Sequence, residues 1–150
     1  MKDTALMPER PQPAGQDSSD LMTLSYRSLA MDDFTERAIA GMVAQAQRFN
    51  ASAGITGVLL YDGCYFLQIL EGPLEQVTRL FASIREDGRH AAVLPFAVRW
   101  LAQRRFDDWS MRLIGPLATR ELAPDLARID GADPARIDRL AADVLGLLRR

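Results

Sequence analysis

Apolar positions recur along the chain with two periods, and the switches between them outline the elements. Residues 21–29 read as a strand that puts Leu24 and Tyr26 on one face, because strand side chains alternate. Asp32 and Asp33 then offer N-cap side chains, with Glu36 three residues after Asp33. Ala38, Met42, Val43, Ala46 and Phe49 follow at helical spacing, which predicts a helix over 33–49 with Asn50 at its C-terminal edge. Residues 55–61 and 64–70 are apolar runs separated by Asp62-Gly63, the signature of a tight hairpin. The second run is apolar on both faces, Phe66 and Leu70 on one and Tyr65, Leu67 and Ile69 on the other, so it is expected to be a central strand covered on both sides. Gly72-Pro73 ends it, and Val77, Leu80, Phe81 and Ile84 stripe a second helix that stops before Gly88. Residues 91–102 read as a strand, and Pro95 inside it points to an edge or a bulge. Residues 109–114 are expected to form a fifth strand with Trp109, Met111 and Leu113 on one face. Beyond Pro116 come a short helix near 119–127 and a longer one. The longer helix has Asp133 as N-cap, Pro134 at its first position, and a stripe of Ile137, Leu140, Ala141, Val144 and Leu148.

The order β-α-β-β-α-β-β predicts a ferredoxin-like α+β fold: a mixed five-stranded sheet, two helices on one face and a C-terminal helical extension. Residues 1–20 are polar, contain three prolines and lack the apolar centre of a signal peptide; they are expected to be a disordered leader. Residues 21–116 form the expected domain, and 117–150 a C-terminal helical cap or output segment.

Composition narrows the function. With 150 residues, 48% hydrophobic and 25% charged, the chain suits one ordinary globular domain. A net charge of −2 argues against a nucleic-acid partner, which normally needs a basic face. No apolar run approaches the roughly 20 residues that span a bilayer, so no membrane role and a cytoplasmic location are expected. Cys64, the single cysteine, excludes an intrachain disulfide and is expected to be a small buried hydrophobe; His90, the single histidine, leaves no material for a His-rich metal site. There is no GxGxxG, P-loop or GxSxG, and the pairs Asp32-Asp33 and Asp107-Asp108 read as cap and turn residues, so catalytic turnover is not expected.

Chemistry is sought instead in polar groups set within apolar pattern. Gln68 shares a face with Phe66 and Leu70, and a buried amide without partners costs about 1–3 kcal/mol. A neighbouring backbone, Tyr26 or a ligand could satisfy it. Tyr26 could equally be a core tyrosine whose hydroxyl reaches solvent, Asn50 a helix-end residue, and Met42 and Ile84 core residues. Arg89 and His90 could belong to a solvated loop, and Trp109 and Met111 to ordinary packing.

In combination these residues resemble a known family. Leu24-Ser25-Tyr26-Arg27-Ser28, Asn50, Gly54-Ile55-Thr56-Gly57, Leu59-Leu60-Tyr61, Phe66-Leu67-Gln68-Ile69-Leu70-Glu71-Gly72-Pro73, Arg89-His90, Arg104-Arg105-Phe106 and Trp109-Ser110-Met111 resemble, in order and without gaps, BLUF domains, the sensors of blue light using FAD. The similarity covers about residues 21–116. The resemblance implies an isoalloxazine ring between the two helices, with Met42 and Ile84 as apolar walls and Asn50 on its O4/N3 edge. It also implies Arg89 near the O2 side, Asp87 and His90 near the ribityl or phosphate part, and Tyr26 and Gln68 beside N5 and O4. It further implies FAD as cofactor, with FMN or riboflavin as substitutes. Light would drive electron and proton transfer from Tyr26, rearrange the Gln68 amide and red-shift the flavin. Output would pass through Trp109, Met111 and the long C-terminal helix to a separate signalling partner or a second copy, in a homodimer or higher oligomer. Phe49 and Ser83 depart from the family, standing where many members have a polar residue and some a basic one.

Two rival readings are a flavin-free, ferredoxin-like ligand-binding regulator and a small enzyme of acylphosphatase type. The first leaves Tyr26, Asn50, Gln68 and Trp109 unexplained as a set; the second needs a glycine-rich phosphate loop that the sequence lacks.

Overall fold

The computed structural model describes residues 20–106 and 109–149. The expected leader, apart from Asp20, and the Asp107-Asp108 turn lie outside the described residues. Five strands, β1 (Leu21–Ala30), β2 (Thr56–Tyr61), β3 (Tyr65–Pro73), β4 (His90–Trp100) and β5 (Arg112–Ile114), form one sheet in the order β4-β1-β3-β2-β5. β1 pairs antiparallel with β3 and β4, β2 antiparallel with β3, and β5 parallel with β2. The sheet is therefore mixed, and β3 lies at its centre as its two apolar faces required.

Each face of the sheet has its own core. On one, Met22, Leu24, Tyr26, Leu59, Phe66 and Leu70 pack under α1 (Glu36–Ala53) and α2 (Leu74–Arg85). On the other, Val58, Leu60, Leu67 and Ile69 pack under the C-terminal helices α3 (Pro116–Leu122) and α4 (Ala135–Leu148), with a 3-10 turn at Leu126–Arg128 between them. The α4 stripe is the expected one, with Ile137, Leu140, Ala141 and Val144 all buried. Among the described residues no helix is long and apolar enough to cross a membrane.

Several boundaries differ for identifiable reasons. α1 starts at Glu36, not near Asp33, because Thr35 supplies the cap: its Oγ1 accepts from the Ala38 N–H at 3.0 Å. Asp32 turns locally to the Asp33 N–H instead. α1 also runs a turn past Phe49, ending at Gly54 (φ 73°), whose N–H bonds back to the Asn50 carbonyl. Asn50 is thus inside the helix and buried, as are Ile39 and Val43, whereas Ala38 and Phe49 point to solvent. The β2–β3 hairpin turns at Asp62-Gly63, where Asp62 Oδ1 accepts from the Cys64 and Tyr65 N–H groups and Gly63 takes φ 103°. Cys64 is exposed at this tip, not buried. β4 is an edge strand with two register shifts against β1 and positive φ at Ala92 and Ala97, an irregular ladder compatible with Pro95.

Candidate functional site

A cavity of about 240 Å³ opens between α1 and α2 and reaches down to the sheet. Its floor is Tyr26, Leu59, Phe66, Gln68 and Met111; Met42 and Ile84 stand on its two helical walls; Asp87, Arg89 and His90 border it beyond α2. It gathers Tyr26, Met42, Asn50, Gln68, Ile84, Asp87, Arg89, His90 and Met111 from β1, α1, β3, α2, the turn after α2, β4 and the segment before β5. Trp109 is apart from it.

Strand pairing creates the floor. Tyr26 and Gln68 are direct partners across β1 and β3, so their side chains emerge side by side on the α1/α2 face. The Tyr26 hydroxyl donates to Gln68 Oε1 at 2.6 Å, and Gln68 Nε2 points at Met111 Sδ at 3.4 Å. The amide is therefore held firmly on its oxygen and weakly on its nitrogen, since a thioether is a poor acceptor. Burial pushes the Tyr26 phenol well above its ordinary pKa; nearby Asp87 adds to this and Arg89 opposes it. The phenol is neutral and its hydroxyl is a donor.

Asn50 is satisfied on one side only. Its Nδ2 donates to the Ser110 carbonyl at 2.8 Å, while its buried Oδ1 has no partner among the described residues. Such an orphaned acceptor on a cavity wall suits an N–H of a bound group. His90 has both ring nitrogens engaged: Nε2 donates to the Ile84 carbonyl at 2.7 Å, which leaves Nδ1 to accept from the Ser28 hydroxyl at 2.7 Å. The ring lies edge-on to Tyr26 and to Phe66. At the rim Arg89 clasps Asp87 through Nε and Nη2 at 2.5–3.1 Å, and this hydrogen bonding lowers the Asp87 carboxyl to about 2.

The expected Trp109, Met111 and Leu113 face is split. Only Arg112–Ile114 is strand, and residues 109–111 lead into it through irregular backbone, where alternation does not apply. Met111 is buried against the α1/α2 core with Leu113 beside it, while Trp109 packs against the α4 core. Two contributors escaped the sequence reading. Gln47 donates to the Met111 carbonyl at 2.8 Å, and Leu59 forms part of the floor. Gln47 gave no signal, being a polar residue on an apparently solvated helix face. Leu59 follows from alternation once β2 is known to pair with β3, because it lies opposite Gln68.

These polar and apolar groups fit a flat, partly polar ring system: two apolar walls, an unsatisfied amide oxygen and, on the floor, an amide held only weakly on its nitrogen. Comparison with known proteins identifies the chemistry. Residues 21–112 match the family model BLUF, described as sensors of blue-light using FAD. Over 93 residues the chain is 40% identical to the blue light- and temperature-regulated antirepressor BluF of Escherichia coli (strain K12), covering 62% of this chain and 23% of that protein. It is 34% identical over 94 residues to photoactivated adenylate cyclase subunit beta of Euglena longa, covering 62% of this chain and 11% of that protein. The chain thus spans less than a quarter of these curated relatives. Among solved structures, the dark state of BlrB, a BLUF protein, superposes with a TM-score of 0.74 at 37% identity, covering 85% of this chain and 97% of that one. The chain belongs to the BLUF family of flavin-based blue-light sensors.

Proposed function

We propose that the chain is a blue-light photoreceptor that binds FAD non-covalently in the α1/α2 cavity and signals to a separate protein without catalysing turnover. The observation that carries this reading is the buried Tyr26–Gln68–Met111 chain on the cavity floor, with the Tyr26 hydroxyl 2.6 Å from Gln68 Oε1. When bound, FAD supplies blue-light absorption and an electron acceptor. Met42 and Ile84 would flank its ring, and the unpartnered Asn50 Oδ1 would accept from its imide edge. Arg89 would serve the opposite carbonyl edge, and Asp87 and His90 would line the way to its ribityl chain. FMN or riboflavin would engage the same ring contacts.

In the dark, burial keeps the Tyr26 proton on its oxygen. Oxidation of the phenol weakens its hold on that proton, and Gln68 Oε1 is the atom placed to receive it. Return of the electron and the proton to Tyr26 restores the phenol, while the amide, whose Nε2 is held only by a thioether, can settle in a turned or tautomeric form. The new amide edge alters the hydrogen bonding of the cofactor in a desolvated site, where each bond weighs more than in water. Output then passes from Met111 through β5 to the C-terminal helices, a switch element biased by a local hydrogen-bond change. A second copy of the chain is the expected dimer partner. A signalling role through a partner is supported by relatives that are named as an antirepressor and as photoactivated adenylate cyclases.

The test is optical. FAD-loaded protein should be yellow, and blue light should shift its flavin absorption reversibly to the red. Tyr26→Phe and Gln68→Ala should keep the flavin and lose the shift. Protein that stays colourless after reconstitution with FAD, or a normal shift in either variant, would refute the reading.

A further inference from the structure

Glu71 is a fully buried carboxylate on β3, three residues beyond Gln68 and facing the other side of the sheet. Most of its donors come from one short segment, and the Thr56 hydroxyl of β2 adds a longer contact to Oε1 at 3.4 Å. Oε1 accepts from the Arg105 N–H at 2.9 Å and the Phe106 N–H at 3.0 Å, and Oε2 accepts from Arg105 Nε at 2.9 Å. The rest of the Arg105 guanidinium spreads outward: Nη2 donates to Thr23 Oγ1 on β1 and Nη1 to Asp138 Oδ1 on α4, both at 3.1 Å. Asp138 also receives Arg99 of β4 through both of its oxygens, at 2.6 and 3.0 Å.

The segment that begins at Arg105 ends at the cavity. The Trp109 N–H bonds to the Phe106 carbonyl at 3.2 Å, and the Trp109 carbonyl takes the Gly57 N–H at 3.1 Å. Ser110 and Met111 then offer their carbonyls to Asn50 and Gln47, and Met111 Sδ faces Gln68 Nε2. Arg105-Phe106 and residues 109–111, joined by the Trp109 N–H bond to the Phe106 carbonyl, thus form a strap with one end fixed by an ion pair with α4 and the other against Gln68.

We propose that Glu71 and Arg105 are positioning residues for the Gln68 switch: they latch this strap to Asp138 of α4, so that the C-terminal helix sets where the Met111 sulfur stands against Gln68. The coupling runs both ways, since a helix that biases the strap is biased by it equally. Its role in light sensing rests on the photoreceptor reading; the latch itself does not.

Asp138→Asn tests it with little risk to folding, because the Asp138 side chain is 45% exposed. Glu71 variants would leave buried N–H groups unpaired. The first arm uses the full chain, FAD-loaded and in the dark, with methyl-labelled methionine; the Met111 signal is identified by its loss in Met111→Leu. Asp138→Asn should shift the Met111 methyl resonance and leave that of exposed Met31 in place. An unmoved Met111 signal overturns the latch whatever the photochemistry does. In the second arm, Asp138→Asn should change the thermal recovery rate of the red-shifted form by about threefold or more, and should have no such effect in a Met111→Leu background. Equal effects in both backgrounds would overturn action through Met111. Absence of any red shift in the parent protein would instead strike the photoreceptor reading, with the Met111 signal still deciding the latch.

Discussion

Asp87 and Arg89 are two residues apart, yet they close a multiply hydrogen-bonded pair at the cavity rim within reach of Tyr26 electrostatically. The Asp87 carboxyl titrates near 2 in the fold against an ordinary value of 3.8, chiefly because Arg89 hydrogen-bonds its charged form. A depressed folded-state pKa means the unfolded chain binds the proton more readily. The pair's contribution is therefore complete above about pH 4 and is lost as pH falls through about 2. Carbon-detected titration should find the Asp87 carboxyl still ionised at pH 3, and Arg89→Gln should move its midpoint upward towards 3.8. A midpoint that ignores Arg89 would show that the pair does not form. At this scale Gln68 was legible because an amide inside an apolar strand is an anomaly on its own. Asn50 was not legible from the pattern, where asparagine at a helix end is ordinary, and entered only through the family resemblance. Its buried, one-sided hydrogen bonding emerges only once α1 continues to Gly54 and carries residue 50 over Ser110.

Elements were legible where a period and a punctuation mark agreed, as in the Asp62-Gly63 hairpin and the α4 stripe. They were not where two caps competed. Asp32, Asp33 and Thr35 all offer oxygen to a helix start, and the choice of Thr35 depends on how β1 delivers the chain to α1. β5 was overestimated, since alternation over 109–114 cannot tell a strand from a strap held by side chains. Pairing also explains a residue the pattern ignored. Gly57 is the second residue of β2 and lies close to the β3 backbone, so that a methyl there would collide with the Ile69 carbonyl oxygen. That oxygen belongs to the central strand and has nowhere to go. Gly57→Ala should cost about 3 kcal/mol, lowering the thermal midpoint by roughly 6–12 °C. Gly41→Ala, with open space around an exposed position of α1, should be neutral or raise it. Calorimetry of the two variants checks the contrast, and equal effects would place β2 away from Ile69.

The whole molecule is a sheet with a core on each face, and only one of these cores forms the cavity. The ferredoxin-like order was readable from the sequence, and the two apolar faces of β3 implied cover on both sides; that α4 supplies the second cover was not readable, because periodicity shows its apolar stripe without saying what the stripe meets. It meets the reverse of β3: Leu67 and Ile69 flank Gln68 in sequence and pack in the core that holds Leu140 and Val144. α4 is thus structural as well as a candidate for output. Removing residues 133–150 would uncover Val58, Leu60, Leu67 and Ile69 together, so a truncated chain would report lost packing before lost signalling. A point change separates the two. Leu140 is fully buried, and Leu140→Ala should cost about 2–5 kcal/mol through the removed methyl groups and the cavity left behind. Because both cores share β2 and β3, the loss should be felt by the molecule as one unit. In FAD-loaded protein, the loss of far-ultraviolet circular dichroism and the release of flavin, followed by the change in its fluorescence, should then share one lowered denaturant midpoint. Helix loss at a midpoint well below flavin release would instead show α4 to be a separable appendage whose docking leaves the cavity untouched.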